Sequence, residues 1–225
     1  MIGQSLQGRP IEELHRSATV NDPPLVVIFG GQHPPEVPGV LGQRAFMEAL
    51  ERLDGESAQL IDRIDWLFIP ALNPDGVEAG YWRLGTGGVD LNRDWGPFTQ
   101  PETRAARDAI AERIESGSRP ILLLDFHATR RDVLYLPERS ESLDPTELAG
   151  RWASAIRARM PPGEAFPQSR SHGVGRPTAK TWFADTYGRP GITVEFGDET
   201  DRAHIERLAA AAAEALVEVL SEDGH

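Results

Sequence analysis

Leu25-Val26-Val27-Ile28-Phe29 is an unbroken apolar run rich in β-branched residues, and Gly30 and Gly31 end it. A run without polar alternation reads as a strand buried on both faces, the kind found in parallel sheets covered by helices. The two glycines let the backbone turn tightly. The residues that follow, Gln32-His33-Pro34-Pro35-Glu36, therefore lie on a loop at the C-terminal end of a central strand, where open α/β sheets build their sites. A His and a Glu three apart can reach one metal ion, and imidazole nitrogen with carboxylate oxygen suits zinc. The same pair also reads as an exposed His beside a solvated Glu. Pro34 and Pro35 favour the metal, because they stiffen the loop and forbid a helix through it.

The pattern of the first strand returns along the chain. Ile64 to Leu72, Ile121 to Phe126, Val133 to Leu136 and Ile192 to Phe196 read as further strands. Between them come helical patterns. Leu41, Ala45, Phe46, Ala49, Leu50 and Leu53 share one face over 40–53, and a short helix is expected over 56–62. Pro101 opens a helix running to about Glu115, with Ala105, Ala109, Ile110 and Ile114 on its face. Helices are also expected over 145–160, 178–187 and 202–220. Asn73-Pro74-Asp75-Gly76 is a turn signal. Residues 77–99 lack periodicity, and a stretch of that length is usually functional. Residues 161–178, rich in Pro, Gly, Ser and Arg, read as a surface loop or lid. Strands alternate with helices, so the expected class is α/β, with a mixed, largely parallel central sheet flanked by helices. No repeat or linker divides residues 1–225, and their length suits a single domain.

Charge and cysteine count narrow the chemistry. The formal net charge is −12, which argues against nucleic acid and against an anionic membrane surface. There is no cysteine, so disulfides, thiol nucleophiles and Cys-type zinc sites are excluded. Any metal must be held by His and carboxylates. No apolar run is long enough to span a bilayer and Met1-Ile2-Gly3-Gln4 does not open a signal peptide, which makes a cytoplasmic location the expectation unless the natural chain starts earlier.

Several chemistry-bearing residues share one address at the strand ends. His33 and Glu36 follow one strand, His127 follows another in Asp125-Phe126-His127, and Glu195 lies at the end of the last. Two His and one Glu, with a fourth position open to water, form a catalytic zinc set. Zinc lowers the pKa of that water to roughly 7, and a nearby carboxylate can take its proton and hand it to a leaving group. Glu195 is the candidate for that carboxylate. Alternatively it is a structural acid beside Asp198 and Glu199.

The ordered set of motifs resembles the zinc carboxypeptidase family of metallopeptidases. The chain has His33-x-x-Glu36, Asn73-Pro74-Asp75-Gly76, Trp82-Arg83, Gly88-Val89-Asp90-Leu91-Asn92-Arg93, His127 and Glu195, in the family's order. The segment from Ile2 to Ile11 also looks like the lead into that family's catalytic core. The resemblance implies a zinc-carboxypeptidase-like (phosphorylase/hydrolase-like) fold, one Zn2+ ion held by His33, Glu36 and His127, and Glu195 as general base and then general acid. It implies that Asp90 accepts a hydrogen bond from the His33 ring and that Arg83 stabilises the oxyanion. Asn92 and Arg93 would clamp a terminal carboxylate.

The chain departs from the digestive members of the family. It is shorter, and Ser171 to Pro177 holds no Tyr where those enzymes carry a substrate-closing one. It looks more like the compact bacterial members. Counting back fifteen positions from Glu195 reaches Lys180, at the place of the side-chain pocket, where a lysine would favour an acidic C-terminal residue. Lys180 could equally pair on a helix surface. The expected activity is that of a zinc-dependent carboxypeptidase acting on a small peptide or acyl-amino-acid substrate with a free carboxylate. The alternatives are an N-acyl amino acid deacylase of the aspartoacylase or succinylglutamate desuccinylase kind, and a catalytically silent binding protein on the same fold. Oligomeric state is not legible.

Overall fold

A computed structural model describes residues 1–137, 147–169 and 175–224. Residues 170–174 of the expected lid lie outside the described residues, as does the start of the helix expected from 145. Near the N-terminus β1 (Gly3–Gln4) and β2 (Pro10–Ile11) pair antiparallel. The main sheet is built from β3 (Leu14–Arg16), β4 (Pro24–Gly30), β5 (Asp65–Ile69), β6 (Arg119–Thr129), β7 (Val133–Tyr135), β8 (Gln168–Ser169) and β9 (Gly191–Gly197). Its order is β3-β5-β4-β6-β9-β7-β8. The centre, β5-β4-β6-β9, is parallel, while β3 and β7 run antiparallel to their neighbours β5 and β9. The sheet is mixed and largely parallel.

Helices cover both faces, which is why β4 is buried along its whole length. Val26 and Ile28 pack toward α1 (Val37–Arg52), α5 (Leu148–Arg159) and α7 (Arg202–Glu222), joining Phe46, Trp152 and Leu216 in one core. Leu25, Val27 and Phe29 point the other way, into a second core with Ile110 of α4 (Pro101–Glu115) and Phe183 of α6 (Ala179–Tyr187). The same alternation runs along β6. Leu122, Leu124 and Phe126 belong to the first core and Leu123 to the second. Asp125 and His127 continue the row of Leu123, on the side of α6. Among the described residues no helix is long and apolar enough to cross a membrane.

Three local expectations need correction. Asn73-Pro74-Asp75-Gly76 is a helix start rather than a turn. The Asn73 side chain accepts from Gly76 N at 2.9 Å and caps α3 (Pro74–Ala79), with Pro74 preset for the first turn. His127 lies within β6, which continues to Thr129, and not after it. The strand from residue 64 ends at Ile69; Leu72 and Asn73 instead donate their N–H groups to Gly30 and Gly31 carbonyls, at 3.0 and 2.9 Å. That tie binds the end of β5 to the loop carrying His33.

Candidate metal centre

The loop after β4 is shaped by Gly31, whose φ of +64° is a left-handed conformation. A Cβ there would also sit 3.0 Å from the Ala71 backbone. The chain then turns back at Pro35, whose carbonyl accepts from Val37 N at 2.8 Å, and enters α1. Glu36 is the N-cap residue of that helix, so its side chain is carried by the helix start. His127 arrives from β6, and β6 and β9 set it directly beside Glu195 in register. α1 can lie this close to β6 because position 39 is a glycine; a Cβ there would stand 2.5 Å from the His127 carbonyl.

His33, Glu36 and His127 offer ligand atoms that all lie within 4.8 Å of one another. Glu36 stands between the two imidazoles. Its Oε1 is 2.8 Å from His33 Nδ1 and its Oε2 is 2.7 Å from His127 Nδ1. The opposite ring atoms meet other carboxylates: His33 Nε2 lies 2.9 Å from Asp90 Oδ1, and His127 Nε2 lies 2.9 Å from Asp125 Oδ2. In the metal-free protein both Nδ1–H groups face the ionised Glu36 carboxylate, and because a second carboxylate stands ready to hold each Nε2–H, a metal ion taking the place of the Nδ1 protons would find both Nδ1 atoms directed at it, the arrangement a zinc site requires. The donor set, two imidazoles and one carboxylate, fits zinc.

Burial and charge act in opposite directions here. Burial alone would raise the Glu36 carboxyl, but the charges and hydrogen bonds of His127 and His33 outweigh it and hold it well below its usual range. Asp90 is likewise held low, against burial, by His33 and Arg83. Burial disfavours a charged His127, yet Asp125 and Glu36 raise it well above 6.5. Glu195 behaves differently. Burial pushes its carboxyl up to about 7, because His127 offsets only part of the cost and Glu36 and Asp125 add to it. Its Oε2 is buried with no hydrogen-bond partner among the described residues.

These groups open on one cleft of about 260 Å³, whose walls also carry Arg83, Asn92, Arg93, Arg176 and Lys180. Arg83 donates from Nε to Asp90 Oδ2 at 2.7 Å. Arg93 ends the short 3-10 turn Leu91–Arg93, which is capped by the Asp90 side chain. Lys180, on α6, is buried, and burial lowers its ammonium to about 8. The partners of Asn92 differ from the expected substrate clamp. Its Nδ2 lies 3.0 Å from His127 Nε2 and 3.3 Å from Asp125, and its Oδ1 accepts from Ala179 N at 2.9 Å. That amide joins the metal centre to the start of α6.

Sequence reasoning overlooked Asp125, Gln32 and Tyr135. Asp125 had a signal, since two residues apart on a strand means the same face as His127. Tyr135 pairs with Thr193 across β7 and β9, and both reach the cleft wall beside Glu195. Arg176, four residues before Lys180, also reaches the cleft wall.

The family model for zinc carboxypeptidases matches residues 1–97, the segment carrying His33, Glu36, Arg83 and Asp90. That segment matches the zinc carboxypeptidase family. An inactive metallocarboxypeptidase, ECM14 of Blastomyces gilchristii, is 30% identical over 69% of this chain and 34% of its own length. Human cytosolic carboxypeptidase 6 is 27% identical over 56% of the chain and 27% of its own. The chain thus spans about a third of the curated relatives' length or less. Among solved structures, a Pseudomonas aeruginosa metallo-carboxypeptidase bound to (2-guanidinoethylmercapto)succinic acid superposes with a TM-score of 0.77 at 26% identity, over 98% of this chain and 63% of that one. A Burkholderia cenocepacia metallo-carboxypeptidase gives 0.79 at 19% identity, over 99% and 64%, a likeness of fold. The family's metal is zinc, and its active members are hydrolases of the metallopeptidase class.

Proposed function

We propose that this chain is a zinc-dependent carboxypeptidase that hydrolyses an amide bond next to a free carboxylate. One observation carries the reading: Glu195 sits beside His127, half-buried, with one oxygen buried and unpartnered among the described residues and its carboxyl pushed up to about 7 by burial in the metal-free protein. A carboxylate poised near neutrality suits a group that must both accept and return a proton. His33, Glu36 and His127 would hold the zinc. When bound, zinc supplies a Lewis acid that polarises a carbonyl and makes water more acidic. Glu195 removes a proton from the attacking water. As the C–N bond breaks, it delivers that proton to the departing amine. Arg83, oriented by Asp90, stabilises the negative oxygen of the tetrahedral intermediate.

Cations dominate the rest of the cleft, although the whole chain carries −12. Arg93 is placed to bind the terminal carboxylate, with Asn92 supporting the wall behind it. Lys180 and Arg176 form a second positive group, suited to an acidic side chain. The substituted succinic acid bound by the Pseudomonas aeruginosa relative is in keeping with a small carboxylate-bearing substrate. The relative named inactive keeps a silent binding protein as the second reading.

The decisive experiment compares parent and Glu195→Gln, both zinc-loaded, on peptides ending in Glu, Phe and Lys and on N-acyl amino acids. Glu195→Gln should keep its zinc and lose turnover by about 10²-fold or more. Undiminished turnover removes Glu195 as the base. A preference for Phe or Lys removes the Lys180 and Arg176 assignment, and cleavage of N-acyl amino acids alone transfers the activity to the deacylases. A zinc-loaded parent that hydrolyses nothing leaves the silent reading.

A further inference from the structure

Behind His127 runs a chain of buried hydrogen bonds that no proposed catalytic step uses. Gln32, Trp95 and Asp125 are each at most 1% exposed. Trp95 Nε1 lies 2.9 Å from Gln32 Oε1, and Gln32 Nε2 lies 2.8 and 2.9 Å from the two oxygens of Asp125. Asp125 Oδ2 then meets His127 Nε2. The direction of the chain is fixed by chemistry. An indole N–H can only donate and a carboxylate can only accept, so the Gln32 amide has one orientation that satisfies both neighbours. The backbone carbonyl of Gln32 accepts from Asn73 Nδ2 at 3.0 Å, which anchors the residue from a third side.

We propose that Gln32 and Trp95 are positioning residues that act through Asp125 to set the geometry and strength of zinc binding by His127. Gln32 precedes His33 in the chain, so the relay also joins the loop bearing two ligands to the strand bearing the third. With the Gln32 amide in place, the negative charge of Asp125 is shared among fixed donors. His127 then keeps one ring orientation. Without that amide, the side-chain hydrogen bonds left to Asp125 among the described residues are those with Asn92 and His127, and the imidazole is free to follow it. The rings around Trp95 are held independently of this bond. Its indole stacks on Phe29 at 5.1 Å and lies 5.1 Å from Trp182, so losing the N–H alone leaves the packing in place.

The inference rests on His33, Glu36 and His127 holding zinc, and its test reads metal binding and not hydrolysis. Full-length parent, Gln32→Met, Trp95→Phe and the double variant are compared at one pH. Zinc affinity is measured by competition with a chromophoric chelator, ligand geometry by the visible spectrum of the cobalt(II) form, and folding by thermal melts of the metal-free proteins. Gln32→Met should weaken zinc binding about 10–100-fold, the usual cost of losing an outer partner, with a changed cobalt spectrum. Trp95→Phe should weaken it in the same direction by less, and the double variant should be no weaker than Gln32→Met, because both act through one chain. Single variants with parental affinity and spectrum, whatever their melting temperatures, overturn the relay, and so do losses that simply add. If Gln32→Met does not fold, Trp95→Phe decides alone. A parent that binds no zinc overturns the metal centre and the relay together, whereas failure of the relay appears only in the variants.

Discussion

At the scale of single residues, Glu195 carries an energetic signature that can be separated from catalysis. Its carboxyl is raised from 4.5 to about 7 in the folded, metal-free protein. A carboxyl with a raised folded value favours the folded state below 4.5, and that contribution is lost as pH rises through 7. Glu36 and Asp90 work in the opposite sense. Their values are lowered, so their contribution is present above the ordinary carboxylate range and lost on acidification. His127, raised above 6.5, stabilises the metal-free protein at low pH and ceases to do so as pH climbs through its folded value. Glu195→Gln removes the first of these effects and leaves the other residues in place. Metal-free Glu195→Gln should therefore match the parent near pH 4, where both side chains are neutral. Near pH 8 it should be the more stable by about 3 kcal/mol, the order expected from a shift of that size. Denaturant unfolding at the two pH values measures it. Equal stability at pH 8 would show that the carboxylate is well solvated and unsuited to the proposed role.

At the scale of elements, the strands were legible because their apolar runs are so plain. Leu25 to Phe29, Ile121 to Phe126 and Ile192 to Phe196 all lie inside strands of the central sheet. Their ends were harder to place. Asp125 and His127 look like residues that should terminate a buried strand, yet β6 continues to Thr129, because Gln32, Asn92, Glu36 and each other satisfy their polar atoms. Partners so distant in sequence leave no local pattern to read. The helix at Pro74 was hidden for a similar reason, since Asn-Pro-Asp-Gly suits a turn as well as a cap. Least visible was how closely α1 approaches β6, which depends on Gly39 having no side chain. Gly39→Ala should push α1 off the His127 backbone and cost about 1–3 kcal/mol of stability, as overpacking usually does. The same displacement moves Glu36, carried at the start of α1, away from His127. Zinc affinity should fall along with the melting temperature. Unchanged affinity in a destabilised variant would mean that Glu36 is positioned by its loop alone.

For the whole molecule, the metal ligands tie together parts of the chain that otherwise meet only through the sheet. His33 and Glu36 come from the end of β4 and the start of α1, while His127 comes from β6, about ninety residues later. In the metal-free protein those ligands already converge, and Glu36 bridges the two rings with hydrogen bonds of 2.7 and 2.8 Å. Binding should therefore need little rearrangement, and its free energy should appear as stability of the fold. A ligand that binds the folded state alone stabilises it by about 2.7 kcal/mol when present at a hundredfold excess over its Kd. For a chain of 225 residues that corresponds to a rise in melting temperature of roughly 5–10 °C. Thermal melts with chelator, and then with zinc added at that excess, should show the rise. His127→Ala should abolish it, because two remaining ligands from one loop no longer link β4 to β6. Mg2+ at the same concentration should have no effect, since it binds imidazole weakly. A melting temperature indifferent to zinc in the parent would remove His33, Glu36 and His127 as a metal centre, and with it the chemistry proposed for the cleft.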